Sequence, residues 1–158
     1  MLLTNKQVAR YKIMSRDVCE RYCTQQHKET SIIISIRSSW DPVKPNVFCD
    51  DKNNVKGVLY LAFDDCDMED DKVFGRTGFH GGAMTKLDGD LVAEFVNEFY
   101  DKVDRIIVHC DGGKSRSAGV AAAIMRVKEK SDSDIWRMSS KCPNVTCFLM
   151  TLKGFGYI

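Results

Sequence analysis

Three short apolar runs most constrain what this chain can become: Ser31–Ile36 (SIIISI), Gly57–Phe63 (GVLYLAF) and Arg105–His109 (RIIVH). Each is continuous rather than alternating and too short for a stable helix, which is the pattern of strands buried on both faces of a parallel sheet. Segments of helical period separate them. Leu87, Leu91, Val92, Phe95, Val96 and Phe99 recur at helical spacing, so one face of that helix is predicted to pack on the sheet. Arg116 to about Lys130 is alanine-rich and reads as a helix despite Gly119. Near the start, a short strand is predicted over Val8 to Met14. Ser15 then serves as N-cap, with Asp17 in the first turn, for a helix to about Gln26. Two further helices are predicted, from Asp132 to Ser140 and from Pro143, at a first helical position, to Leu152. Trp40 to Asn54 reads as a loop with a short strand at Val47 to Cys49. Together these elements predict an α/β fold with a central, mostly parallel sheet flanked by helices.

Length and composition bound the function classes. A chain of 158 residues, 44% hydrophobic and 28% charged, suits one domain spanning residues 1–158. With 23 basic against 22 acidic residues the net charge is +1, so no broad basic footprint points to DNA, RNA or an anionic membrane. An anion must therefore be gripped locally. Seven cysteines without a framework spacing fit a reducing compartment. No apolar run is long enough to span a bilayer, and the start lacks the layout of a signal peptide, so the expectation is a soluble, cytoplasmic protein.

The local grip is expected at Val108-His109-Cys110-Asp111-Gly112-Gly113-Lys114-Ser115-Arg116-Ser117-Ala118-Gly119. A cysteine ends a buried strand, two glycines follow, and an arginine opens a helix. Such a turn can aim several backbone N–H groups at one point, where the positive end of the helix dipole also lies. Gly112 and Gly113 permit backbone angles closed to other residues. Arg116 offers a planar fork that can hold two phosphate oxygens. In that field Cys110 is expected to ionise below the free thiol value of about 8.5 and to act as a nucleophile. Ser117 can place its hydroxyl near the sulfur and help it leave, while His109 organises the loop. The N–H groups of Asp111, Gly112, Gly113, Lys114 and Ser115 join Arg116 as the substrate-binding set.

Attack on phosphorus also requires a proton donor for the leaving oxygen. Candidates follow the second apolar run, in Asp64-Asp65-Cys66-Asp67. Asp65 is favoured because it lies just past the strand's carboxyl end, the edge where parallel sheets build their sites. Asp64 and Asp67 stay open.

The stretch HCDGGKSRSAG resembles the HCxxGxxR(S/T) signature of the cysteine-dependent protein tyrosine phosphatase superfamily. Its SRS ending is most similar to the small dual-specificity branch. Phe63-Asp64-Asp65 resembles that family's acid loop. The resemblance implies a phosphatase-like fold and a phosphocysteine on Cys110, with Asp65 first as acid and then as base. It also implies no metal or other cofactor. Phosphotyrosine proteins lead as substrates, with phosphoserine and phosphothreonine beside them; phosphoinositides, an RNA 5′-phosphate end, or a silent phosphate-binding pseudophosphatase are the alternatives. Lys114 resembles a loop lysine of inositol-lipid phosphatases.

Other patterns carry less. Gly113-Lys114-Ser115 suggests a nucleotide-binding loop, but the first required glycine falls at Val108. A sulfur-transfer protein would need neither Arg116 at this spacing nor a partner acid. The acidic run Asp64 to Asp71 lacks the glycine of a calcium loop at Asp70. Cys19, Cys23 and His27 share a helix face but lack a fourth zinc ligand, so they read as a half-buried face. The glycine-rich segment Val73 to Met84 is a candidate lid, with Arg76 and His80 within it. Trp40, Trp136 and Phe148 read as packing residues. Cys66 is a candidate disulfide partner for an oxidised Cys110.

Overall fold

The computed structural model describes residues 2–41, 48, 52–66 and 82–158. Its sheet has four parallel strands in the order β1-β4-β2-β3: β1 (Tyr11–Ser15), β2 (Ser31–Arg37), β3 (Val55–Ala62) and β4 (Arg105–Cys110). The three apolar runs are three consecutive strands of the sheet, β4-β2-β3, and β4 sits between β1 and β2, with Ile34 opposite Val108 and Ser35 opposite His109. Every strand pair described is parallel, so the carboxyl ends share one edge. That edge carries Ser15, Arg37, Ala62 and Cys110.

Among the described residues six helices flank the sheet: α1 (Asn5–Ala9), α2 (Arg16–Cys23), α3 (Lys86–Phe99), α4 (Arg116–Glu129), α5 (Ser133–Arg137) and α6 (Val145–Gly154). The larger core faces α3, α4 and α6 and takes Ile32, Ile34, Ile36, Ile106, Val108 and Cys110. The opposite face is a smaller core in which Ile33 and Ile107 meet Phe48, Cys19 and Cys23. The period of two along β4 thus sends Cys110 to one face and His109 to the other. The alanine-rich composition of α4 follows from burial on nearly every side, since Ala118 and Val120 to Ile124 are all fully buried. Gly119 is required there: a Cβ would lie 2.4 Å from the Asn144 carbonyl oxygen, so α6 starts directly on the first turn of α4.

Several boundaries differ from the sequence expectation. Residues 5–9 form a helix rather than the start of a strand, because Thr4 and Gln7 build a reciprocal capping box. The helix predicted to Gln26 ends at Cys23, although Ser15 does cap it by accepting from the Val18 N–H. Pro143 precedes α6 instead of opening it; Asn144 is the N-cap, its Oδ1 accepting from the Cys147 N–H. In α3, Val92 and Val96 are buried, whereas Leu87 is 69% exposed and outside the packed face. Trp40 is also 69% exposed and is no packing residue. Trp136 does pack, edge-on to Phe148 at 5.4 Å. Cys19 and Cys23 fill the smaller core, and His27 stacks on Tyr22 at 3.7 Å. The strand predicted at Val47 to Cys49, apart from Phe48, and most of the glycine-rich segment, with Arg76 and His80, lie outside the described residues, as does Asp67. Among the described residues no helix is long and apolar enough to cross a membrane.

Candidate active site

The loop 111–115 joins the end of β4 to the start of α4. Gly113 takes φ +67°, a conformation that favours glycine, and packs so tightly on β1 that a Cβ would lie 2.4 Å from the Met14 carbonyl carbon and the Ser15 nitrogen. Gly112 has open space around it and no positive φ, so the special backbone angle expected of both glycines belongs to Gly113 alone. Ser115, the N-cap of α4, makes no side-chain cap. The helix therefore keeps unpaired N–H groups and its positive dipole end at the loop, as anion binding needs.

Cys110 is 2% exposed. Its Sγ accepts from the Gly113 N–H at 3.3 Å and lies 3.1 Å from Ser117 Oγ. Burial pushes the thiol up, but the Ser117 hydroxyl, the N–H groups of Ser117 and Gly113 and the Arg116 charge together outweigh it, leaving Cys110 below the ordinary thiol value. The arrangement supports a thiolate.

Arg116 is 5% exposed and held from one side. Nη1 donates to the Phe63 carbonyl at 2.8 Å and to Ser38 Oγ at 3.2 Å, and Nη2 donates to Asp111 Oδ2 at 3.3 Å. Nε is buried without a partner. Nε and the second N–H of Nη2 share an edge of the planar guanidinium, the edge by which an arginine offers two parallel donors to an oxyanion. Asp111, expected in the substrate-binding set, turns its carboxylate to this brace, where it also accepts from Ser38 Oγ at 3.2 Å and lies 3.9 Å from Arg16 Nη1.

Of the three carboxylates considered for proton transfer, the two described ones, Asp64 and Asp65, differ in geometry. Asp64 is buried and both its oxygens are occupied, by the N–H and hydroxyl of Ser39 and by the Gly82 N–H. Asp65 is exposed, and its Oδ1 accepts from Ser115 Oγ at 2.7 Å and from Asn144 Nδ2 at 3.1 Å, which ties it to the anion loop. Lys114, in the anion loop, is exposed.

Two contributors were missed in the sequence. Lys141 Nζ donates to the Gly113 carbonyl at 2.6 Å, and Asn144 bonds both Asp65 and the Cys66 carbonyl. The backbone joins in: the Cys142 and Asn144 N–H groups donate to the carbonyls of Lys114 and Ser115. Burial holds the Lys141 ammonium below its usual value, against the pull of Cys110. Only Asn144 had a local signal, as an N-cap candidate. Cys66 and Cys110 are both free thiols.

His109 is 1% exposed on the opposite face, edge-on to Phe48 at 5.4 Å. Its Nδ1 lies 3.4 Å from the Cys110 carbonyl, which can only accept, so Nδ1 carries the proton and Nε2 accepts from Ser35 Oγ at 2.6 Å. Burial pushes its pKa down to about 4. An unfolded histidine protonates near pH 6.5, so between there and pH 4 only the unfolded chain takes up the proton and stability falls on acidification. The expected loss is about 3 kcal/mol across that window. Tm against pH should show it, and His109→Gln should flatten that part of the curve; an equal slope in the variant would remove His109 as its source.

Among solved structures, the chain is similar to human DUSP28, with a TM-score of 0.60 at 13% identity over 96% of this chain and 95% of that one. It matches the human tyrosine phosphatase-like serine/threonine/tyrosine-interacting protein at 0.55 and 17% identity, over 92% and 86% of the two chains. PTPMT1, in complex with PI(5)P, matches at 0.51 and 15% identity, over 92% and 88%. The shared property is the fold, that of dual-specificity and tyrosine phosphatase-like proteins. No family model matches the sequence, and no curated protein does.

Proposed function

We propose that this chain is a metal-independent phosphomonoesterase that works through a phosphocysteine on Cys110. The observation that carries the reading is the buried Arg116 fork, whose Nε has no partner, beside a thiol held below its ordinary value at an uncapped helix end. Arg116 and the loop N–H groups hold the equatorial oxygens of a phosphoryl group in line with Sγ. The thiolate attacks phosphorus, and Asp65 gives a proton to the departing oxygen. Asp65 then takes a proton from water as that water attacks the phosphocysteine, and the Ser117 hydroxyl stabilises the departing thiolate.

Phosphotyrosine proteins are the leading substrates, with phosphoserine and phosphothreonine beside them. The acidic run from Asp64 to Asp71 and Asp111 in the loop argue against highly charged ligands. Lys114 favours a second reading, a phosphoinositide. We further infer a reducing compartment such as the cytoplasm, which a thiolate nucleophile requires.

Hydrolysis of p-nitrophenyl phosphate in EDTA, inhibited by vanadate, is the expected result; activity only with added divalent metal would overturn the mechanism. Turnover of phosphotyrosine peptides against PI(5)P then decides between the substrate readings. Asp65→Asn should lower kcat about 100-fold for alkyl phosphates and much less for p-nitrophenyl phosphate, whose leaving group needs little protonation. If Asp67→Asn behaves that way instead, the acid is Asp67.

A further inference from the structure

A cavity of about 420 Å³ opens at the far end of the sheet from Cys110. It reaches Arg105, the first residue of β4, whereas Cys110 is the last. At about 3.3 Å per residue the strand separates the two by about 17 Å. Four cations line the cavity: Lys6 on α1, Arg10 between α1 and β1, Lys12 on β1, and Arg105. The acids there are Glu29 and Asp104, which leaves a surplus of two positive charges (four minus two).

Both acids are engaged. Asp104 Oδ2 accepts from the N–H and hydroxyl of Thr30 at 3.0 and 3.2 Å, and Glu29 pairs with Arg105 at 3.4 Å. Among the described residues Lys6, Arg10 and Lys12 make no ion pair. The two guanidinium groups are fixed in place. Arg10 Nη2 donates to the carbonyls of Tyr100 and Val103, and its plane lies 4.0 Å over the Tyr100 ring. Arg105 Nη1 donates to Tyr22 Oη at 2.9 Å. Arg10 Nε is buried with no acceptor.

We propose that this cavity is a second anion site, for a ligand carrying two or more phosphoryl groups. Two fixed guanidinium groups provide directional donors, and the exposed Lys6 and half-buried Lys12 adapt to charge on the rest of the ligand. Two surplus charges and a volume beyond that of one phosphate favour a diphosphate or polyphosphate over a single phosphoryl group. The site stands on its own residues and does not depend on the chemistry at Cys110.

The test is titration of the full ¹⁵N-labelled chain with pyrophosphate, ADP and inositol 1,4,5-trisphosphate, followed by amide shifts. Saturable shifts at residues 6–12 and 103–106 are expected, separate from any at 111–117 and weakened by added salt. The ligand that saturates at the lowest concentration identifies the source as inorganic, nucleotide or inositol phosphate. Lys6→Glu with Lys12→Glu should weaken binding there about tenfold or more while leaving shifts at 111–117 unchanged. If that pair disturbs folding, Lys6→Gln with Lys12→Gln removes the charges without reversing them, and about threefold weakening is expected. Shifts confined to 111–117, or unchanged affinity at 6–12 in a folded variant, would overturn the proposal.

Discussion

Cys110→Ser is expected to lower turnover of an aryl phosphate by about four to six orders of magnitude while leaving vanadate or phosphopeptide binding within a few-fold. The loss follows from removing the attacking atom: a serine hydroxyl does not ionise at neutral pH under the forces that hold this thiol low, and knocking out a nucleophile costs on this scale. Binding persists because the grip belongs to other groups, namely the Arg116 fork and the N–H groups of the loop. The fold should tolerate the change, since a hydroxyl can still bond Ser117 Oγ. Single-turnover kinetics and calorimetry on the same preparation check both halves. Unchanged turnover would sink the nucleophile assignment.

Arg116→Lys separates charge from geometry. The ammonium keeps one positive charge near the sulfur, so the thiolate should persist in an iodoacetamide pH profile. It cannot reproduce the contacts of the guanidinium with Phe63, Ser38 and Asp111 while presenting a second edge to an oxyanion. The expected outcome is a fall in kcat of about 10³-fold or more, because two oriented donors to the transition state are lost and one alone is worth about 10²–10³. Vanadate, which adopts the five-coordinate shape, should lose affinity more than phosphate does. A kcat within tenfold of the parent would mean that charge alone suffices and that the fork has no special part.

The strand, loop and helix from Arg105 to Glu129 were legible because their signals are local: a β-branched run, glycines, and an alanine-rich segment behind Arg116. The place of Asp65, just past the end of β3, was legible for the same reason. The capping box at Thr4 and Gln7 was equally local and was overlooked in favour of the apolar run behind it.

What the sequence determined by itself is the chemistry on offer: which side chains stand at the carboxyl edge of a parallel sheet, and in what order along the chain. The tertiary structure decided how they are held. The Phe63 carbonyl and Ser38 meet Arg116 across 53 and 78 residues, and Asn144 meets Asp65 across 79. Such contacts have no periodicity to read, because they depend on where separate elements pack. The same packing occupies Asp64 with Ser39 and Gly82, turns Asp111 into a brace, and gathers four cations at the opposite end of the sheet. A near-neutral chain thus acquires local charge by placement, and placement is settled only when the helices close on the strands.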